Sequence, residues 1–255
     1  MISVIICSIN KIFATQVQVN IAETIGVPFE IIIIDNTINP KSITRVYNQG
    51  ASTAIFDILC FVHEDVLFTT QNWGSYLVTA FLNDAELGLI GVAGSKYKSK
   101  VPSGWFTGIR QYDCCNISHL NTFETSQKVY FNPDYSKKMQ SVVVLDGVFL
   151  VSTKHVWEKI RFDEFLLNGF HLYDIDFSFR VAMQYKVAVS FEIDIIHIVK
   201  GAHFSNSWLE TTLLWHKVKA NNLPFFSCDV VPRVKINEKV ISKTWLFFEA
   251  TFNKK

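Results

Sequence analysis

Residues 2–8 form an unbroken run of mostly β-branched apolar residues, the pattern of a strand buried on both faces. Phe13, Val17, Ile21 and Ile25 then recur every fourth position, which predicts a helix, and Gly26 with Pro28 ends it. Glu30–Ile34 predicts a second buried strand, closed by Asp35-Asn36-Thr37. Asn39-Pro40-Lys41-Ser42 opens another helical region, interrupted near Asn48 and Gly50. Ile58–Val62 predicts a third strand that stops at His63-Glu64-Asp65. A helix over Asn72–Asn83, with Trp73, Tyr76, Leu77, Ala80 and Phe81 on one face, leads to a fourth strand over Leu87–Ala93.

The alternation of strand and helix through Ala93 implies a parallel sheet with crossover helices. Residues 95–140 are rich in Gly, Ser, Lys and Tyr and poorly periodic. They read as an excursion with one short strand near Val129–Phe131. Val142–Ser152 predicts a strand carrying Asp146-Gly147, and Lys154–Ile160 a short helix. Tyr173–Tyr185 predicts a helix, Val187–Ile198 a strand, and Ser205–Ala220 a helix capped by Ser205 or Asn206. No repeat or linker divides the chain. One domain over 1–255 is expected, with a nucleotide-binding half at 1–95, an acceptor-side half at 96–220 and a tail at 221–255.

Composition narrows the function. Of 255 residues 49% are hydrophobic, enough for a large core. The 24 basic and 23 acidic side chains leave a net charge of +1 with no basic run, which argues against nucleic acid as a partner. The five cysteines show no CxxC pair or framework spacing and suit reduced thiols in a cytosolic protein. Met1–Cys7 reads as a first strand, not a signal peptide, and no apolar stretch is long enough to cross a bilayer. Peripheral contact with a membrane surface stays open. The P-loop, GxSxG, GxGxxG and HExxH patterns are absent.

Polar residues gather where strands end: Ser8, Asp35, and His63 to Asp65. In open α/β sheets that edge is where ligands bind. Acids at the end of a buried strand either face solvent or hold a hard divalent ion. Tyr173-Asp174-Ile175-Asp176 opens a helix, where the dipole favours carboxylates; Asp176 and Arg180 are spaced to pair. Asp174, just after a loop, is either a cap or a functional acid. His197, within an apolar strand, is either a core histidine or a partner of Asp65 in a metal site; His203 is a weaker candidate for that role.

In order and spacing these segments resemble the family 2-type GT-A glycosyltransferases, and more narrowly the branch that includes the streptomycin-biosynthesis StrF-like domains. Val4 to Asn10 is similar to the family's first strand and polar turn, and Ile31 to Thr37 to its second strand and nucleotide-binding acid. Asn48-Gln49-Gly50 with Phe61 to Asp65 resembles the Asn-x-Gly helix and the DxD strand end. Leu145 to Leu150 with Phe162-Asp163-Glu164 resembles the acceptor-side strand, and Tyr173 to Phe177 with Arg180 the catalytic-acid helix. Two positions depart from the common pattern: His63 stands at the first DxD position, and Tyr173 where Glu commonly precedes the catalytic Asp. The StrF-like branch shares both.

The resemblance implies a GT-A, mostly parallel central sheet flanked by helices, with a smaller antiparallel acceptor-side portion. It implies a nucleoside-diphosphate sugar donor, a UDP-sugar first among them, and a glycan, lipid-linked or small-molecule acceptor. Ser8, Asn10, Asp35, Asn36 and Asn48 are expected around the nucleotide, with His63, Asp146 and Gly147 in the same cleft. Mn²⁺ or Mg²⁺ is expected on Asp65, aided by His197. Asp174 is expected to take the acceptor's proton in one inverting displacement, in the cytoplasm or at the inner face of the membrane. A sugar-nucleotide nucleotidyltransferase is the first rival, although Ser8-Ile9-Asn10-Lys11 lacks that class's glycine-rich loop. A non-catalytic nucleotide- or carbohydrate-binding module is the second.

Overall fold

A computed structural model of the chain describes residues 1–120, 126–198, 205–228 and 230. His203 and most of the expected tail lie outside the described residues. In chain order the elements begin β1 (Ile2–Ser8), α1 (Lys11–Thr24), β2 (Phe29–Asp35), α2 (Ile43–Thr53), β3 (Ile58–Val62), β4 (Val66–Phe68), α3 (Trp73–Asn83) and β5 (Leu87–Gly91). They continue with β6 (Ala93–Ser95), β7 (Tyr97–Lys98), β8 (Asp113–Leu120), β9 (Ser126–Phe131), β10 (Met139–Val142), β11 (Val144–Leu145) and β12 (Phe149–Thr153). The last are α4 (Lys154–Ile160), α5 (Tyr173–Ala182), β13 (Lys186–Ser190), β14 (Ile195–Ile198), α6 (Asn206–Lys219) and β15 (Phe225–Phe226).

A seven-stranded sheet runs in the order β10-β13-β5-β12-β3-β1-β2. Strands β1, β2, β3, β5 and β13 point the same way, while β12 and β10 run against them. Side chains of β1 alternate between the two faces. Val4 and Ile6 pack with Val17 and Ile21 of α1 and Trp73 and Leu77 of α3. Ile5 faces the other way, toward Tyr47 of α2, Trp157 of α4 and Phe177 of α5. Helices therefore cover both faces, as continuous apolar strands require. The edge strand β2 is only half-buried along Ile31–Ile34.

A second sheet runs β11-β6-β8-β14-β4, with β9 paired to β8. Three stretches that the sequence predicts as single strands each hand over between the sheets. Leu87–Ala93 divides into β5 and β6, Val142–Ser152 into the end of β10, β11 and β12, and Val187–Ile198 into β13 and β14. Both halves of the first two runs are buried, and β14 in the third is apolar though half-buried after Ile195, so hydrophobicity carries no mark of the hand-over. The excursion over 95–140 also holds more order than expected. Its β8–β9 hairpin pairs Cys115 with Phe131 through to Leu120 with Ser126. Buried polar groups in β8, Asp113 and Asn116, hide its strand pattern.

Helix ends follow their caps. Asn10 Oδ1 accepts from the Ile12 and Phe13 amides at 3.0 and 3.4 Å, and Ser205 Oγ from the Trp208 amide at 3.1 Å. Asp176 is fully buried and held by Arg180 Nε at 2.6 Å, Trp215 Nε1 at 3.0 Å and Lys219 Nζ at 3.2 Å. That cluster ties α6 to α5 through one compensated charge. Among the described residues, no helix is long and apolar enough to cross a membrane.

Helix α2 is continuous across Asn48 and Gly50, where the sequence predicts an interruption. Gly50 is there for contact, since a Cβ at this position meets Ile5 Cγ2 at 2.4 Å. We expect Gly50→Val to lower the unfolding free energy by roughly 1–3 kcal/mol by pushing α2 off β1. Urea unfolding followed by tryptophan fluorescence measures this; an unchanged midpoint overturns the contact's importance.

Candidate active site

Strand β3 stops at the sheet edge, where the His63 amide donates to Val148 O at 3.2 Å. The chain crosses into the second sheet through Glu64 and Asp65 and continues as β4. There β14 pairs antiparallel with β4, setting His197 opposite Val66, and the Ile198 amide donates to Asp65 O at 2.9 Å. This register carries the His197 ring to the Asp65 side chain, with Nε2 3.4 Å from Oδ1. His63 Nδ1 lies 4.0 Å from the same oxygen. One ligand atom from each of His63, Asp65 and His197 falls within 4.8 Å of the others.

Asp65 Oδ1 is buried and makes no hydrogen bond of good geometry; the His197 Nε2 contact at 3.4 Å is an ion-pair approach. An ionised oxygen left so is costly unless a cation is brought to it. Burial pushes the Asp65 pKa up, but the His197 and His63 imidazoles outweigh it and hold it below the usual value. For His197, burial alone depresses the pKa; the Asp65 carboxylate reverses this and raises it. His63 is depressed, chiefly by burial. Its Nε2 lies 2.7 Å from Tyr173 Oη, which lies 3.1 Å from Gly147 O. The Tyr173 hydroxyl has one hydrogen for the two contacts. With it on Nε2, His63 Nδ1–H faces Asp65. With it on Gly147 O, Nε2–H donates to the hydroxyl oxygen and Nδ1 keeps its lone pair toward Asp65, the tautomer that metal ligation requires.

Tyr173 also fixes what lies beside the trio. A Cβ at Gly147 meets Tyr173 Oη at 2.1 Å, so only glycine fits. The Gly147 amide donates to Asp174 Oδ2 at 2.9 Å. Asp174 is pushed up to about 7 by burial and then by the charge of Asp146. Asp146 itself accepts from Trp105 Nε1 at 2.6 Å and from the Val148 amide at 2.9 Å. A single hydrogen-bonded path thus runs from Asp65's neighbour His63 through Tyr173 and Gly147 to Asp174.

The remaining sequence candidates divide. Ser8 Oγ donates to Glu64 at 2.7 Å, and the Asn10 amide donates to the same carboxylate at 3.0 Å. Glu64 is therefore spent on closing the end of β1 against β3, while Asp65 faces the histidines. Asp35 lies exposed at the end of β2, its pKa lowered by hydrogen bonds from Thr37. Asn36 exchanges hydrogen bonds with the Lys41 backbone at 3.0 and 2.8 Å. Both stand at the edge that Ser8 occupies, because Ser8 pairs with Asp35 in register.

Asn48 departs from its expected place in the cleft. Its Nδ2 donates to Phe162 O at 2.9 Å and Glu164 Oε1 at 2.8 Å; its Oδ1 accepts from Trp157 Nε1 at 3.0 Å and the Phe162 amide at 3.1 Å. A carboxamide has two donors and two acceptor sites, and all four are taken. Asn48 is a buried tie between α2 and the segment after α4.

Three neighbours of the trio went unread in the sequence. His119 sits beside His197 in register across β8 and β14, its ring 5.7 Å away and its Nδ1 buried without a partner. Trp105 reaches Asp146 from the excursion. Half-exposed Phe170 lies 6.2 Å from the His63 ring. Pairing of β8 with β14 is a long-range event, and no local pattern announces it.

Comparison with known proteins adds to this geometry. Residues 3–219 match the model of a family described as a glycosyltransferase-like family. The chain belongs to that family. This glycosyltransferase is similar in structure to GalNAc-T7 with UDP, GalNAc and Mn²⁺, at a TM-score of 0.59 and 10% identity. The similarity covers 84% of this chain and 47% of that one, so the chain spans about half its length. It is also similar to a Pyrobaculum calidifontis mannosyltransferase in complex with GDP-Man and Mn²⁺, at 0.54 and 13% identity, over 98% of this chain and 75% of that one. A third likeness is S. aureus TarS 1-349, at 0.52 and 12% identity, over 98% and 72%. A search of curated protein sequences finds no match. At these identities the structures speak for the shared GT-A fold.

Removing the Asn48 carboxamide strands two buried donors, Trp157 Nε1 and the Phe162 amide. We expect Asn48→Ala in this glycosyltransferase to cost roughly 2–4 kcal/mol of stability. Nucleotide affinity, measured on the folded fraction, should not change. Chemical unfolding and calorimetric titration with UDP and GDP check both halves; a selective loss of nucleotide binding returns Asn48 to the cleft.

Proposed function

We propose that the chain transfers a sugar from a nucleoside-diphosphate sugar to an acceptor hydroxyl with inversion, using Asp174 as the base and a divalent ion at His63, Asp65 and His197. One observation carries the reading: a buried Asp65 oxygen that lacks a well-formed hydrogen bond lies between two imidazoles, joined through Tyr173 and Gly147 to a carboxyl raised to about 7.

The donor set fits an ion. Two imidazoles and one carboxylate suit Mn²⁺ better than Mg²⁺, which prefers oxygen ligands. When bound, the ion offsets the charge that grows on the leaving diphosphate. Ser8, Asn10, Asp35 and Asn36 line the sheet edge where the nucleotide sits in this reading, and a UDP-sugar is the first donor to test. Asp146, anchored by Trp105, turns toward the sugar hydroxyls. Asp174 accepts the acceptor's proton as the acceptor oxygen bonds to the anomeric carbon; the bond to the diphosphate breaks and the nucleotide leaves. A base near 7 is matched to this step at neutral pH. The acceptor is a glycan, a lipid-linked or a small-molecule hydroxyl. We place the whole chain as one StrF-like GT-A domain, acting in the cytoplasm or at the inner face of the membrane.

Asp174→Asn should bind Mn²⁺ and nucleotide as wild type does and lose roughly 10²–10⁴-fold in kcat. The wild-type rate should climb as pH rises through about 7, where Asp174 loses its proton; the conservative variant should lack that limb. Transfer at the wild-type rate by Asp174→Asn overturns the base assignment. Ligation requires neutral imidazoles, and the His197 pKa is raised. Mn²⁺ affinity should therefore fall as the solution is acidified, and Asp65→Ala should abolish Mn²⁺-dependent UDP and GDP binding. Titration calorimetry across pH decides; metal-independent binding of equal strength in Asp65→Ala sinks the metal site.

A further inference from the structure

Away from the trio, the far end of the β8–β9 hairpin carries a small open pocket of about 330 Å³, at the low end of the range for ligand pockets. Arg110 and Gln111 line one side, and Tyr130, Phe131, Asn132 and Tyr135 the other. The Tyr130 and Tyr135 rings stack at 6.0 Å with 29° between their planes, yet remain 38% and 79% exposed. Arg110 and Gln111 are exposed, and their side chains make no hydrogen bond or ion pair with the described residues. The loop beneath them is already set. Asn132 Oδ1 accepts from the Asp134 amide at 3.1 Å and Gln140 Nε2 at 3.0 Å, and Gln140 Nε2 donates to Asp134 O at 2.9 Å.

Flat aromatic faces beside a free carboxamide and guanidinium suit one ligand chemistry in particular. A pyranose ring offers an apolar C–H face to an aromatic surface and paired hydroxyls to planar donors and acceptors. A nucleotide calls for clustered cations; the pocket lining offers Arg110, and Lys128 over the Tyr130 ring is already paired with Asp194. The pocket also connects to the candidate active site by a run of rings. Trp105, bound to Asp146, lies 5.5 Å from Phe106, which lies 6.0 Å from Phe131 on the pocket wall.

We infer that this pocket is a second carbohydrate subsite, holding a sugar of an extended glycan acceptor while the chain's end lies at Asp174. The assignment rests on the glycosyl-transfer reading above and sharpens it: of the acceptor classes, it selects an oligomeric glycan. Binding energy from a remote sugar then orients the reacting hydroxyl, so acceptor chain length governs turnover.

Affinity electrophoresis tests the subsite without a known acceptor. The full chain is run in native gels cast with a soluble β-glucan, an α-mannan, a galactan or a glycol chitin. We expect retardation in at least one gel. In Tyr135→Ala and Arg110→Ala, both surface changes, the apparent affinity should weaken roughly three- to tenfold. Tyr135→Phe, which keeps the ring, should behave as wild type. Retardation in none of the gels, or equal retardation of the alanine variants, overturns the subsite. Mn²⁺-dependent UDP and GDP binding, measured on the same proteins, separates the two readings. Nucleotide binding without retardation removes the subsite alone. Retardation without any nucleotide binding overturns the transferase reading and the acceptor assignment with it.

Discussion

The Asp65 carboxylate is the constraint around which this molecule is arranged. A negative charge at the end of a buried strand has to be compensated, and two imidazoles stand beside it. His63 comes from the same strand end as Asp65, with its other nitrogen held by Tyr173; His197 is brought from far along the chain by the pairing of β14 with β4. The electrostatic requirement of one oxygen thus draws together a strand end, a helix start and a strand pairing.

That arrangement depends on how the two sheets share strands. The large sheet supplies the ends of β1, β2 and β3, and the second sheet supplies β4, β8 and β14. The seam between them forms wherever a buried run leaves one sheet and enters the other. Gly94 shows how tightly this is done: a Cβ there meets Val144 O at 2.2 Å, where β11 lies against β6. Asp65 and Asp146 both stand at such crossings, β3 to β4 and β11 to β12. A crossing is where backbone direction changes and a side chain is freed from the strand's alternation. Polar groups can gather there without breaking either core.

This division explains what the sequence disclosed. The repeating β-α units, the cap at Ser205 and the acids at strand ends are local patterns, and they were legible; the cap at Asn10 is equally local but was read only as part of a polar turn. So was the pairing of Asp176 with Arg180, four apart on α5. The hand-overs were not, because a run buried in two successive sheets looks like one long strand. His119 is brought to the site by the pairing of β8 with β14, and Trp105 by a side-chain hydrogen bond to Asp146, and no local pattern announces either. Asn48 misled in the opposite direction. A polar residue on a helix at the right spacing resembles a ligand group, and only its four hydrogen bonds reveal a structural tie. Glu64 and Asp65 could not be told apart by type; their surroundings assign one to the β1 turn and the other to the histidines.

The two remaining acids divide their work by the same logic. Asp146 and Asp174 are close enough for the charge of one to raise the other. Asp146 is held in place by an indole and an amide that donate to it. Asp174 accepts the Gly147 amide, and burial together with the charge of Asp146 raises its pKa to about 7, which makes it a group that exchanges its proton near neutrality. Trp105 comes from the poorly periodic excursion, not from the sheet. The excursion therefore does more than cover the site: through one indole hydrogen bond it fixes the carboxylate whose charge raises Asp174.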